Sequence, residues 1–490
     1  AHELGTYHLG KEFAPVANKI YNFGEFEPDY NYYVTKEGAG KKTGVTWRDA
    51  MSIAQMVEMV FEDPNNTVTK VLDDKLNGAT FHIEEGEYEL DTRDRTLRFV
   101  NDDLVKLTFI GSYDSETHKR DLENGRTSFT GNNSHRIVNV NCNKDECCDM
   151  DITFDGIGFI NGTLGGGEDG ALYCNGSKAT LTLNIKNCEF KGNKNSDGWG
   201  SAICLHEVDE ITVENTLFED NSAKVAGAML NTATDGTFNN CIFKGNWTGY
   251  KAGVAYFNYG GDNTFNNCEF IDNAAYKYGM ILHDGGTTTF NNCKFTGNKV
   301  HEGTDGGAFT VLGGSSGTLK INGGEISGNY AGQGAALYVG KSTESKIANI
   351  VVNDVVIKDN ETNSSGTVWA DAGATFTRCT FENNKANSSS YDSGHSLTIA
   401  TGADIKLYGC TIKNHSSANR ISSVLVRTGA KLTMGEDANG TRSVVQNNTT
   451  NYGGAIRVVG DAELSGTDFI GNYANGGGAI IVTDGGELTV

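Results

Sequence analysis

The chain has 490 residues, 63 of them glycine and only three proline, and carries a formal net charge of −22. A surface this acidic excludes nucleic acid and other polyanions as direct partners, because phosphate recognition needs a basic footprint. No apolar run is long enough to span a membrane, so no membrane insertion is expected of this segment.

Residues 1–45 read as an extended, polar, aromatic-flecked arm with Tyr7, Tyr21, Phe23, Tyr30, Tyr32 and Tyr33, laid over the structure that follows. Residues 46–78 hold a helix and a linker. Thr46-Trp47-Arg48-Asp49 has the form of a capping box, Trp47, Ala50, Met51, Ala54, Val57 and Phe61 recur at helical spacing, and Pro64 ends the run. A helix in this place is expected to plug the open end of a stacked core. Ala79 to Tyr88 alternates like a strand and Leu107 to Gly111 continues it. The charged stretch around His118-Lys119-Arg120-Asp121 reads as a solvated loop face.

From about residue 159 one phrase keeps returning. It is Phe190 with Asn193, Phe218 with Asn221, Phe243 with Asn246, Phe270 with Asn273, Phe295 with Asn298, Phe381 with Asn384 and Phe469 with Asn472. Ile326, Ile357 and Val445 take the aromatic place in three further copies. A glycine-led strand follows each, as in Gly306-Gly307-Ala308-Phe309 or Gly453-Gly454-Ala455-Ile456. A period of about 24 to about 33 residues belongs to a solenoid, whose units bury their apolar faces only by stacking. Short strands broken by Asp-Gly and Gly-Gly turns leave no room for helix. The expected fold is all-β: a right-handed parallel β-helix solenoid over residues 79–490, clearest over 159–490, with about three strands per coil and an N-terminal capping helix. The Phe rings are expected to stack at the strand spacing of about 4.8 Å. The Asn residues are expected in left-handed turns, their amides linked from coil to coil.

Cys188, Cys241, Cys268, Cys293 and Cys379 lie two residues before the repeat Phe, and Cys410 two before Ile412, so they share its inward face. Strand spacing exceeds the Cβ separation a disulfide prefers, which predicts reduced, buried thiols. Cys142, Cys147 and Cys148 cluster in a loop that could close one disulfide.

The F-x-x-N and G-G-A-I pairing resembles the repeat of the polymorphic outer-membrane protein family over about residues 159–490. Gly394-His395-Ser396-Leu397 and Ser422-Ser423-Val424-Leu425 lack the double glycine, and Ile412-Lys413-Asn414-His415 shifts the Asn by one place, which predicts distorted turns there. The resemblance implies a surface-exposed adhesin passenger: a non-enzymatic rod, secreted or at the cell surface, that displays loops to a host or neighbouring cell surface, glycans included. Ala1 suits a mature chain from which a targeting segment has been removed. The final repeat stops in mid-coil, so either the native chain continues or another protomer covers this end, giving end-to-end filaments.

The competing reading is a β-helix polysaccharide lyase or glycoside hydrolase. Asp235, Asp262 and Asp284, with Asp371, Asp461 and Asp484, follow glycine-led strands and could form an acidic column that admits calcium; no other cofactor is expected. Most adjoin a glycine, which is turn chemistry and favours the structural reading. His206-Glu207 and His283-Asp284 read as solvated pairs.

Overall fold

Four short strands make one coil. In the coil that opens at Leu181, Leu181–Lys186 lies in a first sheet, Glu189–Lys191 in a second, Lys194–Trp199 in a third and Ile203–His206 in a fourth. The chain then returns as Glu210–Glu214 to lie parallel on the strand where it began, Thr182 against Glu210 and Lys186 against Glu214. Repetition gives parallel sheets of 17, 14, 9 and 13 strands. The computed structural model describes residues 30–61, 76–90, 96–99, 104–143, 147–163, 165–258, 260–301, 304–311, 317–340, 348–388, 393–416, 421–451, 453–483 and 485–490. Tyr7, Tyr21, Phe23, Pro64 and Asp484 lie outside that set.

The third sheet corrects the expectation of three strands per coil. Its strands follow the repeat Asn and read as polar loops, Lys194–Trp199 being KNSDGW. They pair nevertheless, with register shifts such as the one between Asn195 and Trp199, because the coil beneath offers a backbone of similar length.

The N-terminal end is built differently from the sequence reading. Thr46 caps only a single 3-10 turn, Trp47–Asp49. Ala50 is extended (ψ 142°), and Met51–Ser52 pairs with Val34 and Thr35. The α-helix is Ile53–Val60, with the capping box at Ser52 and Gln55. It buries Met56, Val57 and Val60 in the same core as Val34 and Phe81. Asn31–Thr35 is a strand laid parallel on Ala79–Glu84, with Tyr32 stacked on Phe81 at 5.3 Å.

Inside, the repeat residues form columns. Phe159, Phe190, Phe218, Phe243, Phe270 and Phe295 stack with centroids 4.2–5.0 Å apart and planes within 7°. Ile326, Ile357, Phe381, Ile412, Val445 and Phe469 continue the column in register. A second aromatic column runs along the first sheet through Phe238, Phe265 and Phe290. Each fully buried ring contributes about 1.5–3 kcal/mol.

The Asn ladder fills all four hydrogen-bonding places of each amide from Asn221 to Asn360. Asn221 Nδ2 donates to the Phe190 carbonyl (2.9 Å) and to Asn246 Oδ1 (3.0 Å), while its Oδ1 accepts from Asn193 Nδ2 (2.9 Å) and N (3.2 Å). The pattern repeats through Asn246, Asn273, Asn298, Asn329 and Asn360 to Asn384. The left-handed residue is not the ladder Asn but the one before it, from Gly192 and Asp220 to Asn447 and Gly471. An amide aimed into the core leaves the sharp bend to its predecessor, where Gly, Asp and Asn tolerate positive φ. The shifted copy resolves the same way: Asn414 takes the bend (φ 60°) and His415 stands on the rung, its N and Nδ1 both directed at Asn448 Oδ1. Asn448 then donates to Asn472 at 2.9 Å.

Candidate functional site

Cys188, Cys241, Cys268, Cys293, Cys379 and Cys410 are buried free thiols. Burial pushes the Cys188 thiol up to about 12 and Cys379 well above its ordinary value, so these two remain protonated, while thiol contacts from Cys241 and Cys293 pull Cys268 down; buried in the core, all six fill space as small side chains. Cys142, Cys147 and Cys148 are free as well, so the loop holds no disulfide. Cys142 and Cys148 belong to the apolar core, which accounts for their clustering.

The carboxylates proposed as an acidic column divide. Asp235 and Asp262 begin neighbouring strands of the first sheet, stay exposed and cap the next strand's backbone: Asp235 Oδ1 accepts from Asp262 N (2.7 Å), and Asp262 Oδ1 from Thr287 N (3.1 Å). Asp284 ends a strand of the fourth sheet, where the Tyr256 hydroxyl donates to it at 3.3 Å. Asp461 opens a first-sheet strand opposite Lys431. The histidines differ from expectation. His206 pairs across the coils with Glu168 rather than with Glu207, and His283 is not solvated: it faces the interior beside Thr288 (3.0 Å), and burial lowers it to about 4. Within the charged loop, His118 stacks on Trp47 at 4.7 Å and Arg120 pairs with Asp155.

A different place gathers aromatic, acidic and basic side chains. Where the third sheet meets the fourth, each coil turns through a left-handed residue: Gly200, Ala226, Ala252, Tyr278, Gly306 and Gly334. This bend is re-entrant. Val225, Ala226 and Ala252, at the ends of third-sheet strands, pack on the outward residues Cys204, Leu230, Tyr256 and Leu282 of the fourth, a second apolar cluster separate from the interior. The outward column continues through Thr310, Tyr338 and Trp369. The glycine after the bend has its own reason, since a Cβ on Gly227 or Gly307 would overlap the carbonyl of Gly253 or Ala335 in the next coil.

Rings and charges line this corner, with Tyr256 and Trp369 buried and Tyr173 and Trp199 half-buried. Lys251 lies over Tyr256 (4.4 Å) and Trp199 (5.6 Å), Arg136 over Tyr173 (5.2 Å) and Arg427 over Trp369 (4.8 Å). Asp371 accepts from Trp369 Nε1 at 2.9 Å and from the Tyr338 hydroxyl. Burial raises the Asp305 carboxyl, against a hydrogen bond from Gln333 and with help from the Asp371 charge. Rings beside fixed hydrogen-bond acceptors can bind a ligand that is apolar on its faces and hydroxylated at its edges. Asp371 was among the sequence candidates. Asp305 was not, although its place immediately before Gly306-Gly307 is a readable signal.

No curated protein matches the chain. Residues 170–352, which hold the rungs from Asn193 to Asn329 and much of the corner, match a family model described as a right handed beta helix region, and the chain folds as a right-handed parallel β-helix.

Proposed function

We propose that the protein is an extracellular adhesive rod, a β-helix that holds one ligand-binding side at a distance from the surface it belongs to. The observation that carries this reading is the ladder that runs from Asn193 to Asn384 and, bridged by Ser396, resumes from His415 to Asn472, tying coil to coil along the rod. Thirteen coils in the fourth sheet, at about 4.8 Å each, give a column of roughly 60 Å. The likeness of its repeat to that of the polymorphic outer-membrane protein family supports the same role. Beads coated with the protein should be retained on host or neighbouring cell surfaces; retention no better than albumin-coated beads overturns the reading.

A carbohydrate-active enzyme is the second reading, and the pairing of Asp305 with Asp371 around Tyr338 favours it. A screen on acidic and neutral glycans, with and without calcium, decides between them. Turnover abolished by Asp371→Asn, Asp262→Asn or Asp284→Asn would establish the enzyme.

A further inference from the structure

Aromatic side chains are distributed unevenly around the rod. Of its four tryptophans, Trp199 and Trp247 stand on the third sheet and Trp369 on the fourth. Among the described residues the exposed aromatics are Trp247, Tyr250, Tyr276 and Tyr473, and all four follow a ladder Asn onto the same side of the coil. The second sheet carries instead a ladder of ion pairs on its outward face: Lys191 and Lys244 with Glu219, Lys294 with Glu269, Lys358 with Glu325, Lys413 with Glu382. That is the surface of a face built to stay in water, and the contrast marks the aromatic side as built for contact.

Tyr278 strengthens the point. It holds φ 56° at the bend where neighbouring coils place Gly200, Ala226, Ala252, Gly306 and Gly334. A bulky residue in the left-handed region is strained, and glycine would relieve it. Folding gains nothing from a tyrosine backbone there, so the ring itself must supply the reason. Its ring packs partly on the apolar cluster of the corner and remains half exposed. Tyr276, exposed, precedes it by two residues, and Tyr338 stands two coils on, half-buried, with its hydroxyl held by Asp371.

We propose that this re-entrant corner binds a neutral chain of pyranose sugars, with Tyr276, Tyr278 and Tyr338 offering ring faces and Asp305 and Asp371 accepting hydroxyl protons. The charge pattern selects the class. Lys251 and Arg427 lie over ring faces and Lys277 is set against the Asp305 charge, so no basic cluster among the described residues is available to an anionic ligand, and the chain as a whole carries −22. An acidic polysaccharide would be repelled. The corner runs along the rod axis at one coil per 4.8 Å or so, so successive sugars of an extended chain meet successive coils.

The proposal names a ligand class for the side that the adhesive reading presents, and its test is separate from cell adhesion. The full chain is titrated with β-linked hexasaccharides of glucose, of xylose and of N-acetylglucosamine, and with an oligogalacturonate, following tryptophan fluorescence and heat. At least one neutral hexasaccharide is expected to bind saturably and the acidic one not. Tyr278→Gly is expected to raise Kd about tenfold or more while relief of the left-handed strain offsets the partial packing the ring gives up and the unfolding midpoint moves little, so lost binding cannot be ascribed to lost folding. Tyr338→Phe, which keeps the ring and removes only the hydroxyl's hydrogen bond to Asp371, should weaken binding by less than Tyr278→Gly. No binding to any of the three neutral chains, equal binding of the acidic one, or an unchanged Kd in Tyr278→Gly overturns the proposal. Bead adhesion that persists alongside such a result leaves the display role standing and removes only the sugar site.

Discussion

The rungs from Asn193 to Asn360 and those from Asn384 to Asn448 solve one problem in two ways. In the first stretch a single residue type satisfies itself: every amide from Asn221 to Asn360 gives two hydrogen bonds and takes two, through its neighbours' amides and the backbone alone. In the second, His415 occupies a rung and cannot reproduce that pattern. Asn384 Nδ2 reaches Ser396 Oγ at a long 3.4 Å, Ser396 Oγ meets His415 Nε2 at 2.6 Å, and His395, stacked 6.5 Å from His415, takes Ala386 N on Nδ1 while its buried Nε2 has no partner. The same β-helix therefore contains a saturated column and one patched by three side chains from two coils. A ladder is tolerant of substitution only where neighbours on the adjoining strand change with it.

Transplanting the patch into the regular stretch should have the largest effect. In Asn273→His the imidazole would need a hydroxyl where register places Val254, the counterpart of Ser396. The Phe243 carbonyl loses its Asn273 donor and Asn246 Nδ2 its acceptor, in a site with no access to water. A loss of about 3–5 kcal/mol in urea unfolding is expected. A loss under about 1 kcal/mol would mean that the ladder contributes little and that the Phe column alone fixes the coils.

That contrast also divides what was legible in the sequence from what was not. The period, the Phe column, the Asn ladder and the inward thiols could be read because each repeats at one place in every coil, and stacking turns a repeat in sequence into a column in space. A second Asn ladder, Asn239, Asn266, Asn291, Asn322 and Asn353, was equally periodic, two residues before the Cys position in three of those coils, and was overlooked beside the stronger phrase. The third sheet was hidden because its strands are polar and irregular. The helix start was misplaced by six residues because Thr46 and Ser52 carry equivalent capping signals, and only the pairing of Met51 and Ser52 with Val34 and Thr35 chooses between them. The corner as a whole was harder to read for a deeper reason: Tyr278, Asp305, Tyr338 and Asp371 come from different coils and occupy different places within them, so no shared repeat position marks them, and only the re-entrant bend brings them to one side.

Acid should separate the two stretches next. Burial lowers His395 to about 3, with the His415 and Lys385 charges adding to it, and lowers His415 to about 4 against a hydrogen bond to Asn448. Both are neutral when folded, whereas the unfolded chain protonates them near the ordinary value of 6.5. Stability is therefore intact above about pH 6.5 and is lost as pH falls toward 4 and 3, at up to about 1.4 kcal/mol per pH unit for each histidine. His283 adds to the loss over the same window. Hydrogen exchange should find the acid opening centred on Gly394–Ile399 and its neighbours, with the rungs Asn221 to Asn273 still protected. Uniform loss along the rod at pH 5 would mean that the histidines do not set the weak point.

The smallest change should come from giving the irregular stretch the regular solution. His415→Asn offers Asn448 Oδ1 an amide donor in place of His415 Nδ1 and offers Asn384 Nδ2 a carbonyl oxygen on the next rung, as in the coils below. Against that gain stand the smaller side chain, which opens space beside His395, and Ser396 Oγ, which loses the partner it holds at 2.6 Å. Each side amounts to about one buried hydrogen bond, so stability at pH 7.5 should move by less than about 1 kcal/mol in either direction. The pH profile discriminates where the midpoint does not: removing one buried imidazole, and the charge that disfavours protonation of the other, should flatten the loss between pH 6.5 and 4 by more than a third of its total, since three buried histidines share it. A profile that keeps its full slope in His415→Asn would place the acid sensitivity at His283 and His395 and clear the rung itself of being the fragile point.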